Sequence, residues 1–206
     1  MIGIVDYGMG NLRSVQKACE FLGYETALVD KPEDLRAISH LIVPGVGAFA
    51  DAMAALTKGG MDRAVIDWAA SGQPLLGICL GMQLFFQGSE EGGWHPGLGL
   101  FPGQIRRFSA DIGQKVPQIG WNSVHKRACR LFAGLPDGFH VYFVHSFRAD
   151  ASDADFVAGA TCYGETFTCA VERGNVMATQ FHPEKSGTVG LRILRNFLSL
   201  GGEGAC

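Results

Sequence analysis

The chain has 206 residues, of which 47% are hydrophobic and 18% charged, and a net charge of −3. Charged residues fall below the usual share of about 25%, and the length suffices for one sizeable core or two small ones, so a folded globular protein is expected. The negative balance gives no electrostatic ground for nucleic acid or an anionic membrane as partner, and no run reaches the roughly 18 apolar residues a membrane helix needs.

Residues 2–5 read as a first strand, without the charged start and long apolar stretch of a signal peptide, and a cytoplasmic location is expected. Leu12, Val15, Cys19 and Leu22 recur at helical spacing and predict a helix over 11–22, ended by Gly23. A second strand is expected over 25–29 and a short helix over 35–38, opened by Pro32-Glu33-Asp34. A third strand follows over 40–43, stopped by Pro44-Gly45. Helices are expected over 49–56 and 61–70, then a buried strand over 75–78 opened by Pro74, and a helix over 80–87. Strands alternating with helices imply a mostly parallel sheet with helices on both faces.

After Ser89 the pattern changes. Residues 90–99 form a glycine-rich loop, and short strands then dominate, over 103–108, 118–124, 141–147, 156–161, 166–171 and 176–181. Glu172-Arg173-Gly174-Asn175 suits a hairpin turn between the last two. A closing amphipathic helix spans 188–200, with Val189, Leu191, Leu194, Phe197 and Leu198 on its buried side. No repeat or linker interrupts the chain. The expectation is one domain over 1–206 of the α/β class, a mostly parallel sheet flanked by helices with an antiparallel extension. The tail over 201–206 carries no usable pattern and is expected to fray.

The six cysteines show neither C-x-x-C spacing nor zinc-like clustering, which fits reduced thiols and no metal. A bridge between Cys162 and Cys169 would need them to face each other in a hairpin. Cys79 stands apart. An apolar run leads into Gly77-Ile78-Cys79-Leu80-Gly81, and a helix-like segment follows at once. Flanking glycines permit a tight strand-to-helix turn, and a helix N-terminus attracts negative charge. This is a nucleophile elbow with sulfur in place of oxygen. Taken alone, such a cysteine is more often inert packing than a nucleophile.

Two further segments carry matching chemistry. In Gln180-Phe181-His182-Pro183-Glu184, the proline biases His182 toward extended geometry, where side chains two apart project on one side. A carboxylate beside an imidazole fixes its tautomer, so Cys79, His182 and Glu184 supply nucleophile, base and orienting acid. Pro44-Gly45-Val46-Gly47 could turn backbone N–H groups into a cleft. The N–H of Leu80 is the natural first donor to an oxyanion, and one from Val46 or Gly47 the second. A P-loop is excluded because its Gly-Lys-Ser/Thr ending is missing.

Together these segments resemble the class I (triad) glutamine amidotransferases, over nearly the whole chain and in the expected order. Asp6-Tyr7-Gly8-Met9-Gly10-Asn11, Gly120-Trp121-Asn122, Tyr142-Phe143-Val144-His145-Ser146 and Phe181-His182-Pro183-Glu184-Lys185-Ser186 are similar to the glutaminase subunits of imidazole glycerol phosphate synthases, of histidine biosynthesis. The resemblance implies L-glutamine as substrate, glutamate and ammonia as products, and no cofactor. It implies substrate contacts at Gln83 and, through the backbone, at Gly47, His145 and Ser146. It implies a (β/α)₈-barrel cyclase as partner in a heterodimer, faced by Asn11, Trp121, Tyr142 and Lys185, and little activity without that partner. Trp121 also suits a core position, and Gln83 a merely polar site wall. Gln118 departs from the resembled pattern, where histidine is expected. The rival readings are another triad glutaminase, such as that of pyridoxal phosphate synthesis, and a non-catalytic subunit that keeps the fold.

Overall fold

The computed structural model describes residues 1–151 and 154–201. The expectation for the tail therefore falls, from residue 202 onward, outside the described residues. The first half winds as β1 (Ile2–Val5), α1 (Leu12–Phe21), β2 (Thr26–Val29), β3 (His40–Gly45), α2 (Phe49–Lys58), α3 (Met61–Ala70), β4 (Leu75–Cys79) and α4 (Leu80–Leu84). The second half is built of β5 (Phe86–Ser89), β6 (His95–Pro96), β7 (Phe101–Arg107), β8 (Gln118–Lys126), β9 (Phe139–His145), β10 (Phe147–Asp150), β11 (Val157–Tyr163), β12 (Glu165–Arg173) and β13 (Val176–Thr179), closed by α5 (Gly187–Leu198).

The main sheet runs β2-β1-β3-β4-β13-β12-β10-β7-β5-β6. From β2 to β13 every pairing is parallel, and at β13 the sheet turns antiparallel against β12. β11 hangs from β12 and carries β8, which pairs with β9. Strands β1, β3 and β4 are buried on both faces, which is why they read as unbroken apolar runs. One face is covered by α1 and α5 through Val15, Cys19, Ile193, Leu194 and Phe197. The other is covered by α2 and α3 through Phe49, Leu56, Val65 and Trp68. On α5, Val189 and Leu191 are only half-buried, and Gly190 and Ile193 take the inner positions instead. Gly190 lies there because the carbonyl of Pro183 occupies the space a Cβ would need.

Several expected boundaries move, the strand over 176–181 ending at Thr179 and a short strand, His95–Pro96, lying inside the expected loop, and four of the shifts have a local reason. The segment at 32–37 is a 3₁₀ helix that begins at Pro32, not at residue 35. β3 continues through Pro44 and Gly45, pairing them with Ile78 and Cys79. Pro44 is tolerated because β1 has already ended, and the hydroxyl of Tyr7 donates to its carbonyl at 2.8 Å. The helix after Cys79 stops at Leu84, because Phe86–Ser89 go on as β5 paired in parallel with β7 instead of continuing the turn. The strand expected over 141–147 breaks at Ser146, where the chain leaves the partner β8 and joins β7 and β12. Cys162 pairs with Thr166 across its hairpin, and both Cys162 and Cys169 are free thiols.

Candidate active site

Cys79 sits where β4 meets α4, with φ 56° and ψ −108°. Among the described residues it is the only non-glycine with positive φ, an arrangement that persists only where surrounding structure enforces it. The enforcement is steric. A Cβ on Gly81 would fall on the carbonyl oxygen of Val43, and a Cβ on Gly77 would lie 2.9 Å from the Gly81 carbonyl and 2.8 Å from the Phe85 ring. The two glycines therefore let β3, β4 and α4 close on one another, and the sulfur is left facing a cavity. Because α4 has only five residues, the turn itself does more to present the sulfur than the field of a long helix.

That cavity, of about 270 Å³, is lined by Val46, Gly47, Cys79, Leu80, Gln83, Glu91, Val144, His145, Ser146, Phe147 and His182. Every residue assigned from the sequence to nucleophile, base, oxyanion or substrate contact lines it, and Glu184 stands directly behind. His182 Nδ1 lies 2.7 Å from Glu184 Oε1, with the two side chains 3% and 1% exposed. The carboxylate can only accept, so Nδ1 carries a proton and Nε2 turns to the cavity. Burial works against a charged ring, but Cys79 and Glu184 outweigh it and hold the imidazole well above its ordinary value. Nε2 is buried and makes no ordinary hydrogen bond, which leaves it available to a substrate.

On the opposite wall, the pairing of Gly45 with Cys79 brings Val46 and Gly47 beside the sulfur. Gly47 has φ 97°, which favours glycine, and a Cβ there would lie 2.7 Å from Met9 Cε. Gln83 is buried, and its NH₂ group is already committed to the carbonyl of Phe147 at 3.1 Å and to Gln180 Oε1 at 3.0 Å. It can offer a ligand only its oxygen, a narrower role than the sequence suggested. His145 donates from Nδ1 to the same Phe147 carbonyl at 2.8 Å. Burial, reinforced by nearby His182 and only partly offset by that bond, lowers its pKa to about 4, so the ring is neutral at physiological pH. The Ser146 carbonyl is taken by Phe108 N–H at 3.1 Å.

Sequence reasoning missed Glu91, which reaches back from the glycine-rich loop so that its Oε2 accepts the Phe49 N–H at 2.8 Å. It supplies the cap that Ala48 cannot give to α2. The available signal was an acidic pair, Glu90-Glu91, opening a glycine-rich loop. Also missed was Tyr7, whose hydroxyl burial and then Cys79 raise well above the phenol range, so that it remains a donor to Pro44. Trp121 is 58% exposed and stacks edge-on against Tyr142 with centroids 6.2 Å apart, which excludes the core alternative. Lys185 is exposed and Asn11 half-buried. Gln118 is buried and pairs across the strands with His145, so the departure from the resembled pattern lies beside the cavity wall.

The glutamine amidotransferase class-I family matches residues 3–200. The chain is 52% identical to "Imidazole glycerol phosphate synthase subunit HisH" of Desulfitobacterium hafniense, over 96% of this chain and 93% of that one. It is 46% identical to "Imidazole glycerol phosphate synthase hisHF, chloroplastic" of Arabidopsis thaliana, over 96% of this chain and 34% of that one. A solved glutamine amidotransferase superposes with a TM-score of 0.75 at 24% identity, covering 96% of each chain, which bears on the fold alone. With its cysteine, imidazole and carboxylate gathered at one cavity, this chain belongs to the class I glutamine amidotransferases, among the HisH subunits of imidazole glycerol phosphate synthase.

Proposed function

We propose that the chain acts as one glutaminase unit, splitting L-glutamine into glutamate and ammonia and delivering the ammonia to a barrel-type cyclase. The observation that carries this reading is the 2.7 Å bond from His182 to Glu184 in the wall of the cavity that exposes the Cys79 sulfur. Glutamine enters with its carboxamide toward Cys79. Glu91, the one carboxylate among the described residues lining the cavity, suits its ammonium end. The sulfur attacks the amide carbon, and the N–H groups of Leu80 and of the Val46–Gly47 segment hold the oxyanion. His182 gives a proton to the departing nitrogen, and ammonia leaves a thioester behind. The same imidazole then takes a proton from water, which attacks the thioester, and the sulfur is released with glutamate. Glu184 keeps the ring in register throughout.

Ammonia freed into neutral water becomes ammonium, a poor nucleophile, so the product must leave under cover of a partner. Exposed Ile119 and Trp121 on β8 form an apolar spot suited to that contact, with Lys185 and Asn11 as polar members. This spot is wired to the site. Tyr142, paired with Trp121, accepts the His182 N–H at 3.0 Å, and its own N–H donates to Ser186 Oγ at 3.0 Å. Ser186 in turn donates to the His182 carbonyl at 2.6 Å. A partner that shifts Tyr142 therefore moves the base, and weak activity alone, rising strongly with the partner, is the expected behaviour. The intact triad weakens the scaffold reading, and the relatives favour histidine synthesis over pyridoxal phosphate synthesis.

The test is Cys79→Ala in complex with a cyclase. Synthesis from glutamine should disappear while synthesis from added ammonium salt persists. Loss of both, or retention of both, would contradict the assignment.

A further inference from the structure

Gln180 occupies a place that the reaction above does not use. It lies just beyond β13, two residues before His182, and is fully buried at 0% exposure. Its N–H is tied to the Cys169 carbonyl at 2.8 Å, so the residue is fixed to β12. It is not among the residues lining the cavity. Its carboxamide, however, touches the nucleophile: Nε2 lies 3.8 Å from Cys79 Sγ, and Oε1 accepts from Gln83 Nε2 at 3.0 Å.

The direction of this chain of bonds is dictated by one atom. The carbonyl oxygen of Phe147 can only accept, and it takes hydrogens from His145 Nδ1 and from Gln83 Nε2. Gln83 must therefore point its NH₂ group that way. The second hydrogen of that group meets Gln180, which must present its oxygen. Gln180 is then left with its NH₂ group facing the sulfur. Besides His182, with which the sulfur interacts, Sγ also meets the Val144 carbonyl at 3.9 Å, an acceptor useful to the thiol only. A thiolate has no hydrogen to give Val144 and can accept from Gln180.

We propose that Gln180 is a positioning residue for the Cys79 thiolate, oriented by Gln83 and the Phe147 carbonyl. It supplies a fixed donor that favours the charged sulfur and holds it facing the cavity, complementing His182 from another side. The role rests on the glutaminase reading of the site, because only there must the sulfur be held as an anion.

The experiment measures the rate of Cys79 alkylation by iodoacetamide against pH in the full chain, which requires neither glutamine nor partner. Gln180→Met keeps the length and removes the donor. It should slow alkylation at neutral pH about tenfold and move the profile up by about one pH unit. Gln180→Glu keeps the acceptor for Gln83 but aims a second oxygen at the sulfur, and should be slower still. In the complex, Gln180→Glu should lower kcat with KM for glutamine nearly unchanged, since it keeps the acceptor that holds Gln83 in the cavity wall. A folded Gln180→Met chain with the unaltered alkylation profile would overturn the proposal. If both variants fail to fold, the side-chain amide signal of Gln180 in the unaltered chain decides by NMR. It should move on alkylation of Cys79, and a signal indifferent to the sulfur would be equally fatal. Failure of the glutaminase reading looks different: no glutamine hydrolysis by the unaltered chain with any cyclase, whatever Gln180 does.

Discussion

Cys79 and Phe147 face the same cavity from the two halves of the sheet, and different forces hold them there. On the parallel side, β3, β4 and α4 are pressed together with no room for a side chain at Gly81, and the Cys79 sulfur is placed by exclusion. On the antiparallel side, β9 gives way to β10 at Ser146, and the freed Phe147 carbonyl collects bonds from His145 and Gln83. His182 on its loop is likewise held by hydrogen bonds, to Glu184, Tyr142 and Ser186. A site built this way has one rigid wall and one adjustable wall. The adjustable wall is also the one that reaches the exposed Trp121.

The comparison breaks most sharply at Gly81. In Gly81→Ala the new methyl group meets the Val43 carbonyl, which belongs to backbone locked in the centre of the sheet. Overpacking against backbone has no cheap relief, so a loss of about 3 kcal/mol or more is expected, read as a lowered urea midpoint or as insoluble protein. A variant of unaltered stability would mean that α4 is not in fact clamped against β3. The loss should be largely independent of pH, since nothing that titrates is involved.

The antiparallel wall should fail differently. His145 has a folded-state pKa of about 4 against an ordinary 6.5, so between these values the unfolded chain binds the extra proton and the folded chain does not. Its contribution to stability is full above about pH 6.5 and is lost as pH falls toward 4, at up to about 1.4 kcal/mol per unit. His145→Phe removes the titration and suits the surrounding Phe108, Phe143 and Phe167 rings. As pH is lowered from 7 to 4, the urea midpoint of the unaltered chain should fall relative to that of His145→Phe, which keeps only the sensitivity that other groups, such as His40, give both chains. Parallel curves would show that the ring is not buried as a neutral donor to Phe147.

How much of this could be read from the sequence follows the same division. The elbow was legible because steric exclusion is local: Gly77 and Gly81 stand two residues on either side of Cys79 in the chain. The His182–Glu184 pair was legible for the same reason. The bonds among Gln83, Phe147 and Gln180 were not, because they join residues 64 and 97 apart and depend on a break at Ser146 that alternation does not reveal. Glu91 was hidden likewise, its acceptor role toward Phe49 being 42 residues distant. The expected helix over 80–87 failed because residues 86–89 pair with β7, a tertiary event that overrides local preference.

The smallest effect tests whether the rigid wall stores strain. Cys79 holds φ 56° and ψ −108°, close to the first central position of a type II′ turn, which glycine favours. Such a position costs a non-glycine residue of order 1–3 kcal/mol. Cys79→Ala and Cys79→Gly both lack the sulfur and should both be inactive, so stability alone distinguishes them. In ordinary backbone the glycine variant would be the weaker by about 0.5–1 kcal/mol, through the greater freedom of its unfolded chain. Here the order should reverse, with Cys79→Gly ahead of Cys79→Ala by about 1 kcal/mol in urea unfolding. If alanine is the more stable of the two, the turn accepts a Cβ without strain. The packing around Gly77 and Gly81 would then serve only to close the layers, and the sulfur would face the cavity because the chain has no other path.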